Sequence, residues 1–139
     1  MIQATSNTFK DNDRQSRDQA LFDSIAERYA DKDLHPTSSV ARRQRLLRTL
    51  AAAPLPSNPT LLEAGCGAGF SARYLEGRFG RFVGIDYADK LIQCARDTNA
   101  VAGASFQTGN IKQLDLGETF DAAVMIGVLP LLRVANIGG

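Results

Sequence analysis

Three glycines alternate within five residues in TLLEAGCGAGFSARYL, Thr60 to Leu75, between a short apolar run and a pattern that reads as the start of a helix. A chain makes that passage when the apolar run is a strand, the glycines form a tight turn, and the helix folds back over the sheet. Such a turn lets a ligand approach the main chain, and the helix directs unpaired N–H groups toward whatever sits above it. The unit therefore sets the fold class: a parallel sheet with crossover helices, and a crevice at the carboxyl ends of its strands.

The alternation of strand and helix continues downstream. Arg81 to Asp86 is a second buried run and Ala104 to Thr108 a third, weaker one; the clearest is TFDAAVMIGV, Thr119 to Val128. Helices are predicted at Phe70 to Gly77 and Lys90 to Asn99, with a short turn or helix around Ile111 to Leu116. Upstream, Leu21, Phe22, Ile25, Ala26 and Tyr29 recur at spacings of three and four, which marks a helix from Ser16 onward. A second helix, capped by Thr37, Ser38 or Ser39, presents Val40, Leu47, Leu50 and Ala51 inward and ends at PLPSNP. The expected architecture is α/β, a doubly wound parallel sheet preceded by two N-terminal helices. Residues 1–15 are polar and aperiodic and read as a flexible terminus, with 16–139 as a single domain.

Composition removes several function classes. A net charge of +1 gives no global attraction to nucleic acid or to an anionic membrane. The basic run ARRQRLLR has no interleaved aromatics and reads as a solvated helix face rather than an RNA site. The longest apolar run, Ala122 to Leu132, is interrupted by Gly127 and Pro130 and falls far short of the roughly 20 residues that span a bilayer. Two cysteines, Cys66 and Cys94, behind an N-terminus without an apolar signal core point to free thiols and a cytoplasmic location.

The spacing of the glycines discriminates between ligands. Gly65, Gly67 and Gly69 form G-x-G-x-G, whereas the dinucleotide fingerprint is G-x-G-x-x-G, and Phe70 stands where its last glycine would fall. Glu63, two residues before the first glycine, brings a carboxylate to the loop, which suits an ammonium group better than a phosphate. Asp86 ends the second run, 21 residues after Gly65, where a carboxylate can accept two hydrogen bonds from a ribose diol. Asp86 also reads as a cap for the following helix, a role that Asp89 could fill equally well.

In order and spacing, LLEAGCGAGF, VGIDYA, TGNIKQLD and FDAAVMIGVLPLL resemble the successive nucleotide-side motifs of the class I S-adenosylmethionine-dependent methyltransferases, over about Leu61 to Leu132. FDSIAERYA is similar to a segment that precedes the core in many small-molecule members. The resemblance implies a Rossmann-like sheet of order 3-2-1-4. It further implies that Glu63, Gly65 and Gly67 lie by the methionine portion of S-adenosylmethionine, Asp86 on the ribose and Tyr87 beside the adenine. Asn110 stands where the family more often has an aspartate that meets the adenine amino group; an amide oxygen can accept the same bond. Ile111 would pack nearby, and the backbone around Ile126 and Gly127 would face the methionine ammonium.

Methyl transfer from a sulfonium is an in-line displacement in which alignment alone can supply roughly 7 to 11 kcal/mol. No catalytic residue is identified and no metal is implied. His35, the single histidine, reads as a loop residue rather than a general base, and Cys66 as a small filler. Tyr29 either contacts cofactor or substrate or continues the apolar stripe of its helix. The family pattern continues past the fourth strand with a helix, a fifth strand and an antiparallel pair, whereas this sequence runs LPLLRVANIGG. The fourth strand is then expected as an edge, which needs cover. Three expectations follow: a fragment, a short form whose homodimer covers that strand, or a protein that binds the cofactor without turnover. The reading is a methyltransferase with a small-molecule acceptor and S-adenosylhomocysteine as product. Its alternatives are a noncatalytic S-adenosylmethionine-binding or interaction module and an NAD-dependent oxidoreductase, the latter disfavoured by Phe70 and Glu63.

Overall fold

The computed structural model describes residues 13, 14, 16–21, 23, 24, 36–113 and 115–126. Phe22, Ile25, Ala26, Tyr29, His35, Gly127 and Val128 lie outside the described residues, as do residues 1–12. The described residues between 13 and 24 are helical. Helix α1, Pro36–Ala51, leads to strand β1, Thr60–Ala64, and helix α2, Phe70–Tyr74. Strand β2, Arg81–Asp86, helix α3, Asp89–Thr98, strand β3, Ala104–Thr108, and strand β4, Ala122–Val124, follow.

All strand pairs are parallel and the order is β3-β2-β1-β4, as the resemblance implied. β1, β2 and β3 have the expected limits. β4 starts at Ala122 rather than at the expected Thr119 because Asp121 is a polar anchor rather than a strand residue. Its carboxylate accepts from the Thr60 N–H at 2.8 Å and the Thr60 hydroxyl at 3.0 Å, which holds the chain beside the start of β1 before pairing begins. The segment after β3 forms only a turn at residues 111–113.

α1 begins with proline, whose missing N–H has no role at the first helical position. Thr37, Ser38 and Ser39 lie within the first turn of α1. The inward face also differs from the expected set. Leu46 is the buried side chain, 2% exposed, with Leu47 and Leu50 packed beside it, while Val40 is 56% exposed. A stripe through Leu46 and Leu50, one helical turn apart, faces the core and rotates Val40 and Ala51 outward.

The core is a slab of Leu61, Leu75, Phe79, Phe82, Ile92, Ala95 and Phe106 between the sheet and the helices. The rings of Phe79 and Phe82 lie 5.4 Å apart and those of Phe82 and Phe106 6.3 Å, tilted as aromatic pairs prefer. On the outer strand β3, the Arg96 guanidinium donates twice to the Phe106 carbonyl, at 3.1 and 2.8 Å, so a charged group covers part of that edge. Because every strand runs the same way, Ala64, Asp86, Thr108 and Val124 all end at one edge of the sheet, and the segments that follow them share that edge.

Candidate functional site

The glycine turn is built from main-chain bonds. The N–H groups of Gly65 and Cys66 both donate to the Ile85 carbonyl, at 2.7 and 3.0 Å, which seats the loop on the end of β2. The Gly69 N–H donates to the Cys66 carbonyl at 3.0 Å and closes the turn into α2. Gly67 and Gly69 have φ of +54° and +81°, a region that a Cβ opposes. Their surroundings differ. A Cβ on Gly67 would meet nothing within 4 Å, whereas one on Gly69 would come within 2.9 Å of the Phe106 ring and of Ala95. Gly67 thus borders open space at the front of the loop, and Gly69 lets the loop press on the core behind it.

Asp86 is tied to that loop. Its Oδ2 accepts from the Gly67 N–H at 2.9 Å, and its Oδ1 accepts from the Ala88 N–H at 2.9 Å, just before α3. Asp86 therefore ties the loop to the start of α3, but it does not stand at the cap position it was expected to fill, which is Ala88. A carboxylate has about four acceptor positions, so each oxygen retains capacity for a second donor. At 8% exposure, burial pushes the Asp86 carboxyl above the usual carboxylate range. The N–H groups of Ala88, Gly67 and Tyr87 oppose that shift, and the Asp23 carboxylate adds to it. Asp23, from the N-terminal helical residues, accepts from the Lys90 N–H at 3.2 Å in the first turn of α3. Asp89 does not cap the helix; it accepts from the Thr108 hydroxyl at 2.6 Å and links α3 to the end of β3.

Glu63, 4% exposed, lies on β1 beside the loop, where its Oε1 accepts from the Ser71 hydroxyl of α2 at 2.8 Å. Tyr87 directly follows Asp86 and is partly buried, its hydroxyl oxygen enclosed. After β3, Asn110 organises the turn that carries Ile111: its Oδ1 accepts from the Lys112 N–H at 3.0 Å and its carbonyl from the Gln113 N–H at 2.9 Å. Ile126, beyond β4, packs its side chain on the core. Glu63, the loop, Asp86, Tyr87, Asn110, Ile111 and Ile126 thus share one end of the sheet. Cys66 belongs to the core cluster, as a small filler does, and burial, with Glu63 and Asp86 adding, pushes its thiol pKa far up. Phe70 opens α2 buried among Ala68, Ala88 and Leu91.

Sequence reasoning missed Ser71, Asn99 and Asp23. Asn99, fully buried, donates from Nδ2 to the Ala68 carbonyl of the loop at 2.7 Å. Their partners are 8, 31 and 67 residues away, so no local pattern marks them. Among the described residues no helix is long and apolar enough to cross a membrane, and no group of three His, Cys, Asp or Glu side chains could hold a metal ion.

Comparison with known proteins adds an independent line. A family described as the methyltransferase domain matches residues 61–138, more than half of the chain. Among curated protein sequences the comparison found no significant match. A TehB-like SAM-dependent methyltransferase from Corynebacterium glutamicum is similar at 25% identity and a TM-score of 0.61, over 80% of this chain and 60% of its own. The magnesium protoporphyrin IX methyltransferase of Synechocystis, solved with bound SAM, is similar at 19% identity and a TM-score of 0.67, over 86% of this chain and 64% of its own. Phosphoethanolamine N-methyltransferase 1 of Haemonchus contortus is similar at 18% identity and a TM-score of 0.68, over 86% of this chain and 27% of its own. The chain spans less than two thirds of each of these proteins, and the last two likenesses show the fold alone.

Proposed function

This chain belongs to the methyltransferase-domain family, and from that premise we propose that it binds S-adenosylmethionine at the glycine turn and transfers the methyl group to a small-molecule acceptor. The observation that carries the reading is the join between loop and acid: the Gly67 N–H on Asp86, with open space where a Gly67 side chain would stand. The residues fit such a cofactor. Asp86 keeps acceptor capacity for the ribose hydroxyls, Glu63 offers a carboxylate toward the amino-acid portion, and Tyr87 and Ile111 would flank the adenine, with Asn110 near its amino group. Phe70, buried where a dinucleotide loop needs its third glycine, supports this reading over a nicotinamide one.

When bound, S-adenosylmethionine supplies a methyl group already activated on a sulfonium. What this chain supplies is position. The two N–H groups on the Ile85 carbonyl hold the loop against the sheet, Ser71 holds Glu63, and the Ala88 and Gly67 N–H groups fix both oxygens of Asp86 before any ligand arrives. Preset acceptors lower the ordering cost of binding. Both described cysteines are free thiols, which suits a reducing compartment. Calorimetric titration with S-adenosylhomocysteine tests the proposal: saturable binding that Asp86→Ala abolishes supports it, and a folded wild-type chain that binds none refutes it.

A further inference from the structure

We propose that Asn99 is a positioning residue of the cofactor site, holding the glycine loop from behind through the Ala68 carbonyl; this rests on the function proposed above. Asn99 follows the last residue of α3 and is 0% exposed. Its Nδ2 donates to the Ala68 carbonyl at 2.7 Å and lies 3.4 Å from the Thr98 hydroxyl oxygen, while its Oδ1 is buried with no hydrogen-bond partner. A residue kept only to fill this space would be apolar, since a buried acceptor without a donor costs stability. The side chain is retained for what its amide donates.

The placement explains the use. Ala68 lies between Gly67, whose N–H meets Asp86, and Gly69, which presses on Phe106. The Ala88 N–H binds the other oxygen of Asp86 immediately before α3, and Asn99 at the far end of α3 binds Ala68. Loop, acid and helix therefore form a closed ring of contacts, in which α3 is a strut against β2 and β3. The Arg73 guanidinium of α2 donates to the Thr98 carbonyl and locks the strut to the helix that the loop opens. Without the Asn99 bond the ring is cut at one point, and the loop can tilt so that the Gly67 N–H leaves Asp86. The cofactor would then have to restore that geometry on binding, at the expense of affinity.

The test compares Asn99→Ala and Asn99→Asp with Val101→Ala, a core truncation two residues away that touches no loop atom by hydrogen bond. Amide exchange is followed by NMR in the full chain at Gly67 and Gly69, and S-adenosylhomocysteine affinity by calorimetry. Asn99→Ala should speed exchange at those two amides about tenfold relative to Val101→Ala, and weaken binding about fivefold, the loss expected for one neutral hydrogen bond. Asn99→Asp keeps the shape without the donor and should do the same or worse; if it fails to fold, Asn99→Ala decides. Exchange at Gly67 and Gly69 no faster than in Val101→Ala overturns the proposal. So does faster exchange with unchanged affinity. If the wild type binds no S-adenosylhomocysteine, the proposed function falls, and the exchange result alone decides whether Asn99 holds the loop.

Discussion

Gly67 and Gly69 are two residues apart in one turn, yet the structure assigns them separable roles, and alanine at each should separate stability from binding. Either substitution places a Cβ on a residue with positive φ, at a cost of roughly 1 to 2 kcal/mol. At Gly67 that is the whole cost, because the new Cβ enters open space. At Gly69 the Cβ would stand 2.7 Å from the Phe106 ring and 2.9 Å from the Ala95 Cβ. Neither neighbour can retreat freely: Phe106 is packed on Phe82 and Ala95 is fully buried in α3. Overpacking of this kind adds roughly 1 to 3 kcal/mol, so Gly69→Ala should cost roughly 2 to 5 kcal/mol in all. Urea unfolding measures both losses, and calorimetry with S-adenosylhomocysteine measures binding under folding conditions. Gly67→Ala should remain folded and bind at least tenfold more weakly, because its methyl group occupies the approach to the loop. The reasoning is refuted if Gly69→Ala is no less stable than Gly67→Ala, or if Gly67→Ala binds like the wild type.

Two further outcomes follow from the shifted groups. The folded chain holds the Asp86 proton more tightly than an unfolded aspartate does, so this group's contribution to stability falls as pH rises from the ordinary value of 3.8 through the raised one. Ribose hydroxyls need the carboxylate, so affinity for S-adenosylhomocysteine should rise over the same window; Asp86→Asn should flatten both slopes in pH-dependent melting and titration. An alkylating thiol reagent should modify the half-buried Cys94 on the native chain and reach Cys66 only on unfolding, as peptide mass mapping would show. Modification of Cys66 at the Cys94 rate would contradict its burial.

The parts of the fold readable in the sequence are those whose causes are local. β1 and β2 have the expected limits because each is a largely apolar run closed by glycine or a polar residue, β3 matches on a weaker alternation, and the turn at Gly65 to Gly69 announces itself through glycines that its backbone requires. β4 starts later than expected because its start is decided by Asp121 on Thr60, 61 residues away. The inner face of α1 was displaced by one position, onto Leu46, because a helix with leucines at 46, 47 and 50 offers two adjacent stripes, and the core it packs on chooses between them. At the candidate site, the distance of Glu63 and Asp86 from the glycines placed both carboxylates beside the turn, and both bond to residues 67–71. Ser71 and Asn99 were not legible, since an ordinary serine and asparagine become site residues only through what the fold places opposite them.

The two ends of the sheet show why that distinction has a physical basis. At the amino ends of the strands lie exposed pairs of the ordinary kind: Thr60 with Asp121, and Arg81 with Glu118 at 2.7 Å across the surface. Such pairs contribute modestly and cost little. Glu63 and Asp86, toward the carboxyl ends of β1 and β2, and Asn99, after α3, are the buried polar and charged side chains among the described residues. Each is hydrogen-bonded to a segment only five residues long: Glu63 accepts from Ser71, Asp86 accepts from Gly67, and Asn99 donates to Ala68. Burial of these groups costs the fold stability, visibly so in the raised Asp86 pKa, and an apolar core would avoid the cost. Three such residues converging on residues 67–71 fix the geometry of that segment, as the proposed cofactor site requires.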